Sequence, residues 1–286
     1  MRRLLVAGIL LTAGILLLWA HINDYELRFV PNRLGFRPPT YPSRSPDEIT
    51  EHFELAGGSE RDNRGFPQRK IDDLSSRFPK LFYREGPRNV RLVALTFDDG
   101  PDSVYTPQIL DVLKQHNVKA TFFLIGKRAE LFPGVVKRMV REGHVVGNHT
   151  WSHPNIMKMD NKAMVQEIMK AEEVLSKLAG YRPALFRSPY GSIDEARVKE
   201  IEKLNYKIVA WNVDSLDWKS LTAEQVRANI LENVREGSII LQHSAGSKEE
   251  NLAGSVAALE DVIVTLKKEG YRFVTVPELL KLPYKK

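Results

Sequence analysis

The chain contains no cysteine in its 286 residues. Disulfide bonds are therefore excluded, and so is anchoring through a lipid-modified cysteine. The folded part must be stabilised by a hydrophobic core instead, and hydrophobic residues make up 43% of the sequence. No internal repeat is apparent.

The chain also lacks a block of charge of one sign. Lys and Arg number 42 against 36 Asp and Glu, which gives a net charge of +6 spread over the whole length. Clustered basic residues are typical of proteins that bind nucleic acid, so the sequence predicts no nucleic-acid partner. The diffuse charge is compatible with an anionic cell wall, and equally with a solvated surface. We expect the protein to be a monomer.

The first 20 residues have the pattern of an export signal. Arg2 and Arg3 precede an uncharged stretch of 17 residues, 4–20, as in a secretory signal. As a helix this stretch would span about 25 Å, near the minimum for a bilayer. Only Ala20 offers a small residue for cleavage. We therefore interpret residues 1–20 as an uncleaved membrane anchor with its basic end inside the cell. The alternative is a cleaved signal and a secreted protein, and in both cases the rest of the chain is exported.

Residues 21–80 are polar and punctuated by proline. The prolines of the first half of this segment are Pro31, Pro38, Pro39, Pro42 and Pro46. This composition is typical of a semi-rigid spacer. We interpret residues 21–80 as an extracytoplasmic linker that holds a domain of residues 81–286 away from the membrane.

From residue 81 onward, short apolar runs alternate with helical patterns. The predicted strands are 91–97, 119–125, 144–148, 184–187, 207–213, 238–242 and 271–276. The helices between them carry start and stop signals, such as Asp160 as a predicted N-cap and Gly180 as a stop. Strands alternating with helices favour an α/β fold with a parallel sheet. Seven such strands favour a closed or distorted (β/α) barrel.

Two adjacent carboxylates, Asp98 and Asp99, stand where the first predicted strand ends. Such a pair at the end of a buried strand is costly unless a metal ion or a cation compensates its charge. The alternative is that both residues form a turn that caps the next helix and carry no chemistry.

Two of the seven histidines, His149 and His153, stand four residues apart. This spacing is used by zinc sites within a short segment, and an aspartate would complete an Asp-His-His set. Three protein ligands leave a position for water, which is the arrangement of a hydrolytic metal rather than a structural one. The alternative is two unrelated histidines, one of them packed in the core.

The polar residues that follow the predicted strands are expected to meet. Active sites of parallel α/β barrels lie at the C-terminal ends of the strands. Arg187 ends the fourth predicted strand, Asp214 follows the fifth and His243 follows the sixth. Together with the residues after the first and third strands, they predict one polar rim.

Five short motifs between residues 81 and 283 occur in the order that one enzyme family shows. They are Thr-Phe-Asp-Asp at 96–99, His-Thr-Trp-Ser-His at 149–153, Arg-Ser-Pro-Tyr at 187–190, Asp-Ser-Leu-Asp-Trp at 214–218 and Leu-Gln-His at 241–243. On these motifs the chain resembles the polysaccharide deacetylases of carbohydrate esterase family 4, the NodB-homology domain. Ser244 departs from the pattern, since many members have Asp after the last histidine, and we expect little consequence.

The resemblance implies metal-dependent hydrolysis of an acetyl amide. It makes Asp99, His149 and His153 the ligands of one divalent metal ion, expected to be Zn²⁺, with Co²⁺, Ni²⁺ and Mn²⁺ as alternatives. Such an ion polarises the acetyl carbonyl and lowers the pKa of bound water towards ~7. The resemblance makes Asp98 the general base and His243 the general acid that protonates the sugar nitrogen.

The resemblance also implies supporting roles. Arg187 would pair with the base, and Asp217 would orient the general acid and raise its pKa. The backbone N–H of Tyr190 would help to hold the oxyanion. Trp218 and Leu241 would wall an apolar pocket for the acetyl methyl group. The alternatives are a surface cation at Arg187 and ordinary core packing at Trp218 and Leu241.

The implied substrate is a polymer that contains N-acetylglucosamine. An exported, anchored protein favours peptidoglycan. Family members that act on N-acetylmuramic acid often lack the second aspartate of the first motif, whereas Asp99 is present here. One alternative is a deacetylase of chitooligosaccharides. Another is an inactive relative that binds wall glycan, which the loss of a base or ligand residue would indicate, and none of these residues is lost.

Overall fold

The computed structural model describes residues 68–286, so the predicted anchor and most of the predicted linker lie outside the described residues. The strands are β1 (Phe82–Tyr83), β2 (Leu92–Asp98), β3 (Thr121–Leu124), β4 (Val145–Asn148), β5 (Leu185–Phe186), β6 (Lys207–Val209), β7 (Val213–Asp214), β8 (Ile239–His243) and β9 (Arg272–Phe273). The α-helices are α1 (Gln68–Arg77), α2 (Tyr105–Gln115), α3 (Gly126–Leu131), α4 (Pro133–Arg141), α5 (Asn161–Ala179), α6 (Glu195–Lys203), α7 (Ala223–Leu231), α8 (Ala253–Lys268) and α9 (Val276–Leu280). Within this part of the chain no helix is both long enough and apolar enough to cross a bilayer.

All strands of the sheet pair in parallel, in the order β1-β6-β5-β4-β3-β2-β8-β7, and β9 pairs with β2 as well. Parallel neighbours need a crossover connection, and most of the α-helices provide these connections. The predicted α/β fold with a parallel sheet is therefore confirmed. Each of the seven predicted strands has a counterpart, and β1 was not predicted because it is two residues long.

The prediction of one strand over residues 207–213 was wrong. The chain forms β6, which pairs with β1 and β5, and then β7, which pairs with β8. Asn212 lies between the two strands and explains the break. Its side-chain amide donates to Ser238 Oγ at 3.1 Å and accepts from the Ile239 N–H at 2.8 Å, so it directs the chain to β8.

The link between β6 and β7 shows that the sheet is curled. β6 is the second strand in the sheet order and β7 is the last, yet only residues 210–212 join them. From residue 209 to residue 213 the chain can reach at most about 14 Å, so the two sides of the sheet must approach each other. The sheet therefore forms a distorted half-barrel.

Helix α1 lies within the segment that was predicted to be a linker. Its Leu74 is buried in the same cluster as Leu81 and Phe82, which docks the helix on the start of the fold. The boundary at residue 81 remains a prediction.

The alternation of side chains along β2 places the first acidic residue of the site. One side of the strand packs in the larger hydrophobic cluster with residues of helices α2, α4 and α8. This side comprises Val93, Leu95 and Phe97. The opposite side carries Thr96 and Asp98, which are both buried. The two-residue period of a strand thus points Asp98 to the other side of the sheet from the helix-packed residues.

His144 is a buried histidine just before β4, at the end of that strand away from His149. Its Nδ1 accepts a hydrogen bond from the Ala120 N–H at 3.1 Å. Burial lowers the pKa of His144 to about 4, and the positive charges of Lys119 and Arg138 add to the shift. Glu142 Oε2, 4.0 Å from Nε2, is the acidic group that faces it.

The lowered pKa of His144 predicts that the folded protein is less stable in acid. The pKa of His144 in the folded state lies below the ordinary value of about 6.5. Its contribution to the free energy of unfolding is therefore complete above pH 6.5 and is lost as the pH falls towards 4. The expected loss is about 3 kcal/mol of unfolding free energy. Urea unfolding of the metal-free protein between pH 7.5 and 4 measures it. The His144→Asn variant should show a correspondingly shallower pH dependence, and equal slopes in the two proteins would contradict the assignment.

Candidate active site

The C-terminal ends of β2, β4, β5, β7 and β8 surround one cleft. Its lining residues are Asp98, Asp99, His149, His153, Ser188, Tyr190, Gly191, Trp211, Asp214, Trp218, Leu241 and His243. The predicted rim is therefore formed in the structure. Two further predicted residues, Arg187 and Asp217, lie buried against the lining residues that they contact.

Asp99, His149 and His153 form a compact, buried triad. His149 Nε2 lies 3.4 Å and His153 Nε2 3.2 Å from Asp99 Oδ1. One ligand atom from each residue falls within 4.8 Å of the others, and each residue is at most 2% exposed.

These three residues fit a divalent metal ion. A tetrahedral ion with bonds of about 2.0–2.1 Å holds its ligand atoms roughly 3.3 Å apart, and the two observed separations match this value. His149 Nδ1 lies 2.8 Å from the carbonyl oxygen of Arg187. Since a carbonyl only accepts, Nδ1 carries a proton, which leaves Nε2 as the nitrogen that can bind a metal ion. A second hydrogen bond of this kind is typical of metal-bound histidine.

Asp98 differs from the three triad residues because it forms an ion pair with Arg187. The guanidinium of Arg187 donates from Nη1 to Asp98 Oδ1 at 2.8 Å. The other carboxylate oxygen, Oδ2, lies 3.8 Å from His149 Nε2, so it faces the triad. The register of β2 and β8 also places Asp98 directly beside His243.

Arg187 is almost completely buried, and all three nitrogen atoms of its guanidinium group donate hydrogen bonds. Nε donates to Val209 O at 2.9 Å, Nη2 to Ala210 O at 3.1 Å, and Nη1 also to Thr96 Oγ1 at 2.9 Å. The guanidinium lies 4.2 Å from the centre of the Phe123 ring. Burial lowers the pKa of Arg187 and the charge of Asp98 opposes this shift. The alternative of a surface cation at Arg187 is therefore excluded by its burial.

His243 and Asp217 form the second charged pair of the cleft. His243 Nδ1 lies 2.7 Å from Asp217 Oδ1, and the His243 N–H donates to Oδ2 at 2.9 Å. Ser255 Oγ donates to the same Oδ2 at 2.7 Å. Burial alone would raise the pKa of Asp217, but His243 and these hydrogen bonds outweigh burial and hold the pKa below its ordinary value. An ionised Asp217 fixes the proton of the imidazole on Nδ1 and stabilises the doubly protonated ring.

Tyr190 lies beside the triad in a short 3-10 turn, Pro189–Gly191. Its backbone is in the left-handed region, with φ of 60°. The ring meets His153 edge-on, with centroids 4.5 Å apart. Sequence reasoning assigned a role only to the backbone N–H of Tyr190, and the ring contact is an additional feature.

Trp218 and Leu241 both line the cleft. Leu241 is 4% exposed and belongs to a core cluster, so core packing and wall formation apply together. Trp218 is half-buried rather than enclosed, which favours a wall of the cleft over a core position.

A sequence profile described as polysaccharide deacetylase matches residues 85–209. A peptidoglycan-N-acetylglucosamine deacetylase of Bacillus cereus is 50% identical over 220 residues, which cover 75% of this chain and 79% of the relative. A second protein of that name from the same strain is 39% identical over 199 residues, covering 69% and 92%. The chain belongs to the polysaccharide deacetylases of carbohydrate esterase family 4. A similar solved structure is that of the Bc1960 peptidoglycan N-acetylglucosamine deacetylase in complex with 4-naphthalen-1-yl-N-oxidanyl-benzamide. It superposes with a TM-score of 0.69 and is 50% identical in sequence. The match covers 71% of this chain and 94% of that chain.

As a member of this family the protein is a hydrolase. Its cleft also contains residues other than those to which the sequence assigned a role. Ser188, Gly191 and Trp211 line the cleft without having been given a role from sequence. Ser188 lies within the third motif and Gly191 directly follows it, which is a local signal. Trp211 carries no such signal, because its place in the cleft follows from the break between β6 and β7.

Asp214 is also a lining residue of this deacetylase. Its Oδ1 accepts from the Leu216 N–H at 2.9 Å. Burial raises the pKa of Asp214 and the nearby His243 opposes the shift. Sequence reasoning placed Asp214 at a strand end and gave it no chemical role, and the structure leaves it outside the two charged pairs.

Proposed function

We propose that this protein removes the acetyl group from N-acetylglucosamine residues of peptidoglycan in a metal-dependent hydrolysis. The observation that carries the proposal is the arrangement of the cleft. A buried Asp-His-His triad, a carboxylate paired with Arg187, and a histidine paired with Asp217 all reach the same space.

Asp99, His149 and His153 are the residues that would hold the metal. Zinc suits one carboxylate and two imidazoles, and Co²⁺, Ni²⁺ or Mn²⁺ suits them too. When bound, the ion polarises the acetyl carbonyl and lowers the pKa of a bound water.

Asp98 and His243 divide the proton transfers. Water adds to the carbonyl carbon, and Asp98 accepts its proton. The bond between carbon and nitrogen then breaks, and His243 donates a proton from Nε2 to the leaving nitrogen, so the products are acetate and a free amine. Support comes from the hydrogen bonds: Arg187 stabilises the negative charge of the base, and Asp217 stabilises the protonated acid.

Three lining residues would position the acetyl group. The backbone N–H of Tyr190 would donate to the carbonyl oxygen as negative charge develops on it. Leu241 and Trp218 offer apolar surface for the methyl group. A small apolar pocket beside a developing oxyanion favours acetyl over larger acyl groups.

The choice of peptidoglycan rests on the relatives that carry that name at 50% and 39% identity. We also propose that residues 1–20 anchor the protein in the cell membrane with residues 81–286 outside, or that the protein is secreted if this segment is cleaved. A chitooligosaccharide deacetylase is the alternative, and one such relative from Azorhizobium caulinodans is 32% identical over 199 residues.

Removal of the metal is expected to abolish acetate release. Dialysis of the full-length protein against a chelator such as dipicolinate should lower the rate on peptidoglycan to background, since three ligands alone supply no Lewis acid. Addition of Zn²⁺ or Co²⁺ should restore it, and the rates with each ion would identify the metals that support turnover.

The His149→Ala variant is the matched test of the ligand assignment. It should lose both metal content and turnover, and added Zn²⁺ should not restore the rate. Undiminished acetate release after chelation, or from this variant, would refute the metal-dependent mechanism.

A further inference from the structure

The segment between the two histidine ligands has an unusual backbone. Thr150 and His153 both lie in the left-handed region, with φ of 68° and 61°. Residues other than glycine adopt this region infrequently, because the side chain crowds the backbone. The segment 149–153 must therefore be held in place by its surroundings.

Glu167, on α5, contacts the middle of this segment with both carboxylate oxygens. Oε2 accepts from the backbone N–H of Trp151 at 3.1 Å and from that of Ser152 at 2.8 Å. Oε1 accepts from Ser152 Oγ at 3.0 Å. Hydrogen bonds to an ionised acceptor are roughly twice as strong as those between neutral groups.

Other groups also support the segment. The Thr150 N–H donates to Asn148 Oδ1 at 2.8 Å, and the His153 N–H donates to Thr150 Oγ1 at 3.1 Å. The N–H groups of Gly126 and Lys127, in the first turn of α3, donate to the carbonyl oxygens of Thr150 and Trp151. One turn along α5 from Glu167, the ammonium of Lys170 lies 4.0 Å from the centre of the Trp151 ring. Within this support Glu167 is a carboxylate that binds the chain directly between the two ligands.

We infer that Glu167 is a positioning residue for the metal site, a role that rests on the proposed metal-dependent function. Metal affinity depends on holding the ligand atoms near the ideal spacing before the ion arrives. The spacing of 3.2 Å between His153 Nε2 and Asp99 Oδ1 depends on the backbone that Glu167 helps to hold. Without the carboxylate, the left-handed residues relax and the ligands move away from that spacing.

The test compares Glu167→Gln with the wild type as full-length proteins. Gln keeps the size of the side chain and one acceptor, but it loses the charge and turns one acceptor into a donor. We expect the Kd for Co²⁺ to rise about 10- to 100-fold and the visible d–d absorption of the Co²⁺ protein to change in shape. At saturating metal the variant should regain acetate release to within a few-fold of wild type.

Glu173→Gln is the control. It lies on the same helix, is 67% exposed and pairs only locally with Lys177. It should leave the Kd and the spectrum unchanged. Ser152→Ala, which removes the bond to Oε1 alone, should raise the Kd in the same direction by less, and it tests the inference even if Glu167→Gln folds poorly.

A purely structural role for Glu167 would give a different result. It would lower the Tm of the metal-free protein and leave the Kd for Co²⁺ and the spectrum unchanged when both are measured well below that Tm. This result, with a wild type that binds Co²⁺ and releases acetate, would overturn the inference and leave the proposed function standing. A wild type that binds no Co²⁺ would overturn both.

Discussion

The Asp98→Asn variant is expected to lose about 10²- to 10⁴-fold in kcat, which is the range for removal of a general acid or base. The amide has nearly the same shape as the carboxylate and still accepts the hydrogen bond from Arg187. It cannot take a proton from water at neutral pH. The predicted metal ligands are other residues, so the Kd for Co²⁺ should stay within a few-fold of wild type.

The measurement is acetate release from peptidoglycan by the Co²⁺-loaded variant. Asp160→Asn is the matched control, because Asp160 caps α5 by accepting from the Ala163 N–H and Asn caps a helix as well as Asp does. The control should have wild-type kcat. If Asp98→Asn keeps more than a tenth of the wild-type rate with its metal bound, another group is the base.

The second large effect concerns stability. The Arg187→Met variant should lose about 3–5 kcal/mol of unfolding free energy, as is found when one partner of a buried ion pair is removed. Met has an apolar side chain of comparable length, but it leaves the Asp98 carboxylate and the carbonyl oxygens of Val209 and Ala210 without the guanidinium. Urea unfolding at pH 7 measures the loss.

A double-mutant cycle identifies the cause of this loss. Arg187→Met combined with Asp98→Asn should be less destabilising than the sum of the two single variants, because no unpaired carboxylate then remains buried. A loss below about 1 kcal/mol for Arg187→Met alone, far under the range for a buried pair, would show that the pair contributes little to the fold.

Much of the fold was predictable because apolar runs indicate its strands and capping residues indicate the starts of its helices. The side chain of Asp160 accepts a hydrogen bond from the Ala163 N–H, so the predicted N-cap is present. At the start of α7, Thr222 and Gln225 form a capping box, in which each side chain accepts from the backbone N–H of the other residue. The failure at residues 207–213 had a tertiary cause. An apolar run reads as one strand, whereas the side chain of Asn212 bonds to β8 and transfers the chain to a new partner.

The candidate site was predictable to the extent that its residues are adjacent to strand ends. The predicted metal ligands lie together, and the two predicted partner contacts, Arg187 with Asp98 and Asp217 with His243, are present in the structure. Contacts that depend on how helices pack were beyond sequence reasoning. Glu167 is one example, since nothing in a helical pattern shows that a polar residue on α5 will face the backbone between two ligands.

The measurement that tests the central claim most directly is the position of the free amine in digested wall glycan. Peptidoglycan and chitooligosaccharide are each incubated with the zinc-loaded full-length protein, with Asp98→Asn protein as the blank, and the fragments are analysed by mass spectrometry. The account predicts a loss of acetyl from the glucosamine residues of peptidoglycan and none from its muramic acid residues. Deacetylated muramic acid, release from chitooligosaccharide alone, or no release from either polymer would contradict it.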